Sequence, residues 1–216
     1  MRIVWTGVVV AALGCACGGA KATVSTRAAA VTAAPAGAAI TLDRAQIEVE
    51  RVRLTPAAAT SQASGTSGET ETEDEVGAGP FHLDLTGAEL SGEVSHAFDI
   101  NAAPGDYTRV KVRVHPDASN QKSIVIDGTF NGTAFTFASS LDEDQEREGT
   151  FTIDPAGTAN ITLSFDTSRW FSDGQGGALD PSNAGNQSKI EDNIKASLEA
   201  FEDDDHDGSD DGAEHQ

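Results

Sequence analysis

The sequence predicts a mainly β protein, an antiparallel sandwich in preference to a barrel, with one C-terminal amphipathic helix. Two observations carry that reading. Apolar residues recur at every second position in a series of short runs between residues 40 and 166. Gly, Asn, Asp and Pro separate those runs at intervals of about 8 to 12 residues, the rhythm of hairpin-linked strands rather than of βαβ units. At 216 residues the chain is sized for one such domain plus tails.

Met1-Arg2 opens the chain, a short apolar stretch runs to Leu13, and small residues and cysteines follow, which is a signal-peptide layout over residues 1–14. The stretch is well short of the ~20 residues that a spanning helix requires. Ala12-Leu13-Gly14-Cys15 resembles the bacterial lipobox. That resemblance implies cleavage before a lipid-modified Cys15, and more than one acyl chain gives stable anchoring. Cys17 has no assigned role, and with both cysteines in this zone the domain has no disulfide to support it. Residues 15–39 are mostly Ala, Thr, Gly and Ser without apolar periodicity and are expected to form a flexible tether.

The sandwich domain is expected over 40–201. Ile47 and Val49 alternate with polar residues, and the apolar set then shifts phase to Val52 and Leu54, as at a strand bend or bulge. Residues 57–79 form a low-complexity insertion with the acidic run Glu69 to Glu75, expected to be disordered. Strands are then marked by Phe81, Leu83 and Leu85, by Val94, Phe98 and Ile100, and by Val110, Val112 and Val114 with Arg109, Lys111 and Arg113 opposite. Ile124 and Ile126 precede Asp127-Gly128, Phe135 and Phe137 follow Asn131-Gly132, and Phe151 and Ile153 precede Asp154-Pro155, dipeptides read as turns. Ile161, Leu163 and Phe165 complete the series. Between them, the acidic stretch 142–148 reads as a loop. Ile190, Ile194, Leu198 and Phe201 fall at helical spacing and predict a helix over 188–201, with Ser188 as cap and Glu191 as its capping-box partner. An acidic tail, 202–216, ends the chain.

Pro104-Gly105-Asp106-Tyr107-Thr108, leading into the strand to Val114 and preceded by the Phe81 to Leu85 strand, resembles a family of bacterial lipoprotein domains of unknown function. That family has an immunoglobulin-like sandwich with a Gly-x-Tyr-Thr entry to a central strand. The resemblance implies an envelope β-domain without established activity. The acidic insertion and the Trp170-containing extension depart from it. Independently of the family, Tyr107 is expected to bury its ring and hydrogen-bond at its tip.

Asp and Glu number 35 against 14 Lys and Arg, a formal charge of -21. A field of that sign repels phosphate backbones and excludes nucleic acid as a partner. The sharpest local motif is Asp203-x-Asp205-x-Asp207-Gly208 with Glu214 six residues past the glycine, the spacing of a calcium loop. Asp203, Asp205, Asp207 and Glu214 would supply side-chain oxygens, Ser209 its carbonyl, and Gly208 the sharp turn. No exiting helix follows, and the loop is expected to lack rigidity and to bind weakly; a solvated acidic tail is the plain alternative. His96 shares parity with core positions and is read as a core histidine, while His82 and His115 are expected at the surface. The chain has no G-x-S-x-G, no H-E-x-x-H and no Cys nucleophile within the domain. Trp170-Phe171 reads either as an exposed platform for a sugar or protein partner or as the cover of a sheet end.

The leading expectation is a non-catalytic protein, lipid-anchored in the bacterial cell envelope at the outer membrane and facing periplasm or surface. Its partners would be the membrane, through the lipid, and an unidentified protein or carbohydrate ligand. A calcium-dependent binding module is the first alternative. A carboxylate-based glycoside hydrolase is the second, since so acidic a chain offers many carboxyl pairs.

Overall fold

The computed structural model describes residues 20–29, 39–57, 75–154 and 158–211. The signal segment, Cys15, Cys17, most of the acidic insertion and Glu214 lie outside the described residues. The strands among them are β1 (Lys21–Ala29), β2 (Ile40–Pro56), β3 (Val76–Ala78), β4 (Phe81–Thr86), β5 (Ser95–Asn101), β6 (Gly105–Val114), β7 (Ile124–Phe130), β8 (Thr133–Ser139), β9 (Glu143–Ile153), β10 (Thr158–Asp166) and β11 (Leu198–Glu202). Two helices join them, α1 (Gly87–Leu90) and α2 (Gln187–Lys195).

The strands make a mainly β, two-layer structure. One sheet runs β11-β10-β1-β5, and the other is built on β2. At 17 residues β2 is long enough to serve two partners along each edge. One edge takes β7 along Ile40 to Ile47 and β6 along Val49 to Pro56; the other takes β4 and then β3. The bulge between Val49 and Arg51 is where the apolar phase of the sequence shifts, and it keeps Ile47, Val49, Val52 and Leu54 all buried. Strands β8 and β9 extend the two arms. A shared core fills the space between layers, with Val24, Phe98, Ile161 and Leu163 from one and Leu54, Val112, Ile126 and Phe151 from the other. At one margin Phe81 of β4 stacks on Phe98 of β5 with centroids 3.5 Å apart. At the other, the Arg147 Nε of β9 donates to the Leu198 carbonyl of β11.

Several expectations give way to particular contacts. Residues 21–29 of the expected tether are the inner strand β1, antiparallel to β5 and parallel to β10, the one parallel pair of the described sheets. Ala22, Val24 and Ala28 are buried there, with side chains too small to show an apolar stripe in sequence. The tail of the expected insertion contains β3, which pairs with β2. The acidic stretch 142–148 belongs mostly to β9 rather than to a loop, because its carboxylates face the cations of β6. Arg109 meets Glu146 at 2.8 Å, and Arg113 meets Asp142 at 2.6 Å and Asp144 at 3.2 Å.

Asp127-Gly128 lies inside β7, and the turn is Asn131-Gly132. Helix α2 stops at Lys195, and Leu198 to Glu202 instead cover the edge of β10 as β11, which satisfies that strand's outer backbone groups. Ser188 sits within α2, whose N-cap is Asn186, and Glu191 accepts from Ser139 Oγ at 2.6 Å rather than closing a capping box. His96 is exposed and bonded to Asp99 at 3.0 Å, because the β1–β5 register slips between Val24 and Ser25 and breaks its parity with Phe98. Tyr107 is buried, and its hydroxyl donates to the Ala103 carbonyl at 2.8 Å.

Candidate metal site

The acidic loop begins where β11 ends, and β10 holds its first residue. The Asp203 N–H donates to the Asn160 carbonyl at 3.0 Å and so extends the β10–β11 ladder by one step. Asn160 returns the bond, its Nδ2 donating to the Asp203 carbonyl at 2.7 Å, and its own Oδ1 accepts from Ser25 Oγ at 2.8 Å. The Asp203 carboxylate is fully buried. Its Oδ2 accepts from Thr162 Oγ1 at 2.7 Å and its Oδ1 from the Gly208 N–H at 3.2 Å. Among the described residues no basic group pairs with it within 4.0 Å.

From Asp203 the chain curls back on itself. Asp205 Oδ1 accepts from the Asp207 N–H at 3.1 Å and Asp207 Oδ1 from the Ser209 N–H at 2.6 Å, two successive side-chain-closed turns. His206 and Gly208 have φ of 60° and 83°. Gly208 also lies against the Arg27 guanidinium, where any Cβ would clash. Arg27 in turn donates from Nε to Ser164 Oγ at 3.3 Å and stands 5.8 Å from the Phe201 ring centroid. The Asp204 carboxylate accepts from the Asn160 N–H at 2.8 Å, and its own N–H donates to Asp211 at 2.7 Å, which closes the loop.

Ligand atoms of Asp203, Asp205 and Asp207 come within 4.8 Å of one another. Oxygens sharing a calcium ion at 2.3–2.6 Å each lie within roughly 5 Å of each other, so the three carboxylates are spaced to hold one hard cation. Glu202, next to them, has its carboxyl pushed above the usual range by burial, with Asp204, Asp211 and Asp210 adding repulsion.

The structure brings Asp203, Asp205 and Asp207 together and places Ser209 on the same loop, while Glu214 lies outside the described residues. The loop's first residue is bonded to β10, Asp203 accepting from Asn160 and Thr162. Asn160, Thr162 and Arg27, which anchor the loop, went unnoticed in the sequence because they sit in distant strands. Trp170 and Phe171 form no exposed platform. Both are buried, with Phe171 edge-on to Phe135 and Phe137 at 5.4 and 6.1 Å between centroids.

Depressions elsewhere are small and polar. One of about 240 Å³ lies among Glu50, Arg51, Arg53, Lys111, Arg113 and Asp144 on the outer face of β2 and β6. Another, about 210 Å³, lies between β4 and β5 with His82 and His96 in its wall. No helix of the described residues is long and apolar enough to cross a membrane. The fold and site together define a two-layer β-sandwich carrying, at a sheet margin, an acidic loop whose Asp203, Asp205 and Asp207 could hold a metal ion. Comparison with known protein families, curated proteins and solved structures gives no match.

Proposed function

We propose that the chain is a non-catalytic, lipid-anchored domain of the bacterial cell envelope whose C-terminal loop takes a calcium ion. The observation that carries the calcium reading is the convergence of Asp203, Asp205 and Asp207 within 4.8 Å, with Asp203 buried and fixed by β10. Calcium accepts six to eight oxygen ligands in varied geometry and so suits a set of carboxylates from one loop, whereas magnesium demands near-ideal octahedral geometry. Membrane attachment through Cys15 follows from the lipobox-like Ala12-Leu13-Gly14-Cys15. The non-catalytic part of the reading rests on the sequence, which carries no G-x-S-x-G, no H-E-x-x-H and no Cys nucleophile within the domain.

Titration calorimetry tests the ion. The wild-type chain is expected to bind calcium and to melt at a higher temperature in its presence. Asp205→Asn with Asp207→Asn, at two exposed positions, is expected to abolish both effects while leaving the fold intact. Unchanged heats in that variant overturn the site. Labelled palmitate tests the anchor separately, and label retained by Cys15→Ala overturns it.

A further inference from the structure

Strand β8 ends one arm of the larger sheet, and among the described residues its outer edge pairs with no other strand. Sheets guard such edges with charge, proline, bulges or a cover, because an open row of N–H and C=O groups templates pairing. Of the other outermost strands, β3 is only three residues long, and the rest carry charge: β4 has Asp84, β5 has Asp99, β9 its acidic run, and β11 Glu199 and Glu202. β8 reads Thr133-Ala134-Phe135-Thr136-Phe137-Ala138-Ser139, with no charge, proline or bulge, in a chain of formal charge -21.

The β7–β8 turn fixes which backbone groups face outward. Asn131 and Gly132, with φ of 51° and 78°, form a two-residue hairpin loop in which Phe130 stands opposite Thr133. A hydrogen-bonded pair flanks such a loop. Alternation from there turns the N–H and C=O of Thr133, Phe135 and Phe137 toward β7, and those of Ala134, Thr136 and Ala138 away from it.

The strand is also a near-palindrome about Thr136. Two antiparallel copies related by a two-fold axis at that residue set Thr136 opposite Thr136, Phe135 opposite Phe137, Ala134 opposite Ala138 and Thr133 opposite Ser139. In this register every outward-facing residue meets another, in three pairs that exchange about six hydrogen bonds. The faces stay in phase, with Phe135 and Phe137 of both copies on the buried side and Ala134 and Thr136 on the exposed side. A slip of one residue would lose all of this at once.

Charge does not oppose the arrangement. The carboxylate nearest the axis on the exposed face, Asp127, accepts from Thr136 Oγ1 at 2.6 Å. Across the axis the two Asp127 residues would be three strand spacings apart, about 14 Å, beyond the ~8 Å screening length at physiological salt.

We propose that two copies of this chain associate by antiparallel β8–β8 pairing centred on Thr136, joining their larger sheets into one. Sedimentation of the full chain, with Cys15→Ala and Cys17→Ala so that neither lipid nor thiol links copies, tests it at 0.15 M salt. The expected result is a reversible dimer. Thr136→Lys puts two ammonium groups face to face at the axis and is expected to weaken the dimer at least tenfold, with an unchanged circular dichroism spectrum. Ala134→Lys with Ala138→Glu sets opposite charges across the register twice and is expected to keep the dimer. Ala134→Lys with Ala138→Lys sets like charges there and is expected to abolish it. A dimer indifferent to both Thr136→Lys and the double-lysine variant overturns the proposal. So does a chain that is monomeric at every concentration, which would leave the edge to a strand of another protein.

Discussion

Trp170 is fully buried, and its indole N–H donates to Ser197 Oγ at 2.7 Å while that hydroxyl donates to the Ile194 carbonyl at 2.6 Å. One ring thereby ties the segment after β10 to the end of α2, and it does so with both its apolar body and its single polar atom. Trp170→Ala is expected to lose about 3–5 kcal/mol through the cavity it leaves. Ser197→Ala keeps the packing but strands a buried donor, at a cost of about 1–3 kcal/mol. Urea unfolding measures both. The two residues share a bond, so Trp170→Phe combined with Ser197→Ala is expected to cost less than Trp170→Phe alone and Ser197→Ala alone added together. A Trp170→Ala loss no larger than that of a surface substitution would contradict the burial of the ring.

Strand β1 is where sequence pattern and structure part most clearly. Apart from the acidic part of β9, the strands from Phe81 to Phe165 were legible because large apolar residues alternate there with polar ones. In β1 the inward set is Ala22, Val24, Thr26 and Ala28, and Ser25 on the other face is buried as well, so an inner strand reads as low-complexity chain. β9 was illegible for another reason: its carboxylates look like a solvated run until Arg109, Lys111 and Arg113 are known to lie beside them. The candidate site divides in the same way. The Asp203, Asp205, Asp207 and Gly208 spacing is local and readable, whereas the Asn160 and Thr162 bonds that fix it span more than 40 residues. A tether and an inner strand differ in what they tolerate. Val24→Asp buries an unpaired carboxylate between β5 and β10 and is expected to abolish cooperative unfolding. Lys21→Gln, at an exposed position of the same strand, is expected to stay within about 0.5 kcal/mol of wild type. Equal tolerance of both, in thermal melts followed by circular dichroism, would return residues 21–29 to the status of a linker.

For the whole molecule the governing quantity is the formal charge of -21, concentrated in β9, the insertion and the terminal loop. Two sets of carboxyls respond to pH in opposite senses. Asp84, bonded to Arg44, and Asp99, bonded to His96, are held below the usual carboxylate range, as is Asp173 by the Gln175 and Gly177 N–H groups. Their contribution to stability is present above the unfolded-state value, near 3.9, and is lost as pH falls through the folded values. Glu202 runs the other way, because burial raises its carboxyl. Its contribution is present below the unfolded-state value and is lost as pH rises through the folded one. Without calcium, the melting temperature is therefore expected to peak in mild acid and to decline toward neutral pH. Glu202→Gln keeps an acceptor for the Thr152 N–H, which donates at 3.2 Å, and removes the penalised charge. It is expected to raise the melting temperature at neutral pH, to flatten the decline on that side, and to leave the acid side unchanged. Calcium is expected to narrow the gap between wild type and variant at neutral pH, and an equal concentration of magnesium is expected to narrow it less. Parallel pH profiles for the two chains, with or without the ion, would show that Glu202 and the loop beside it carry no electrostatic load.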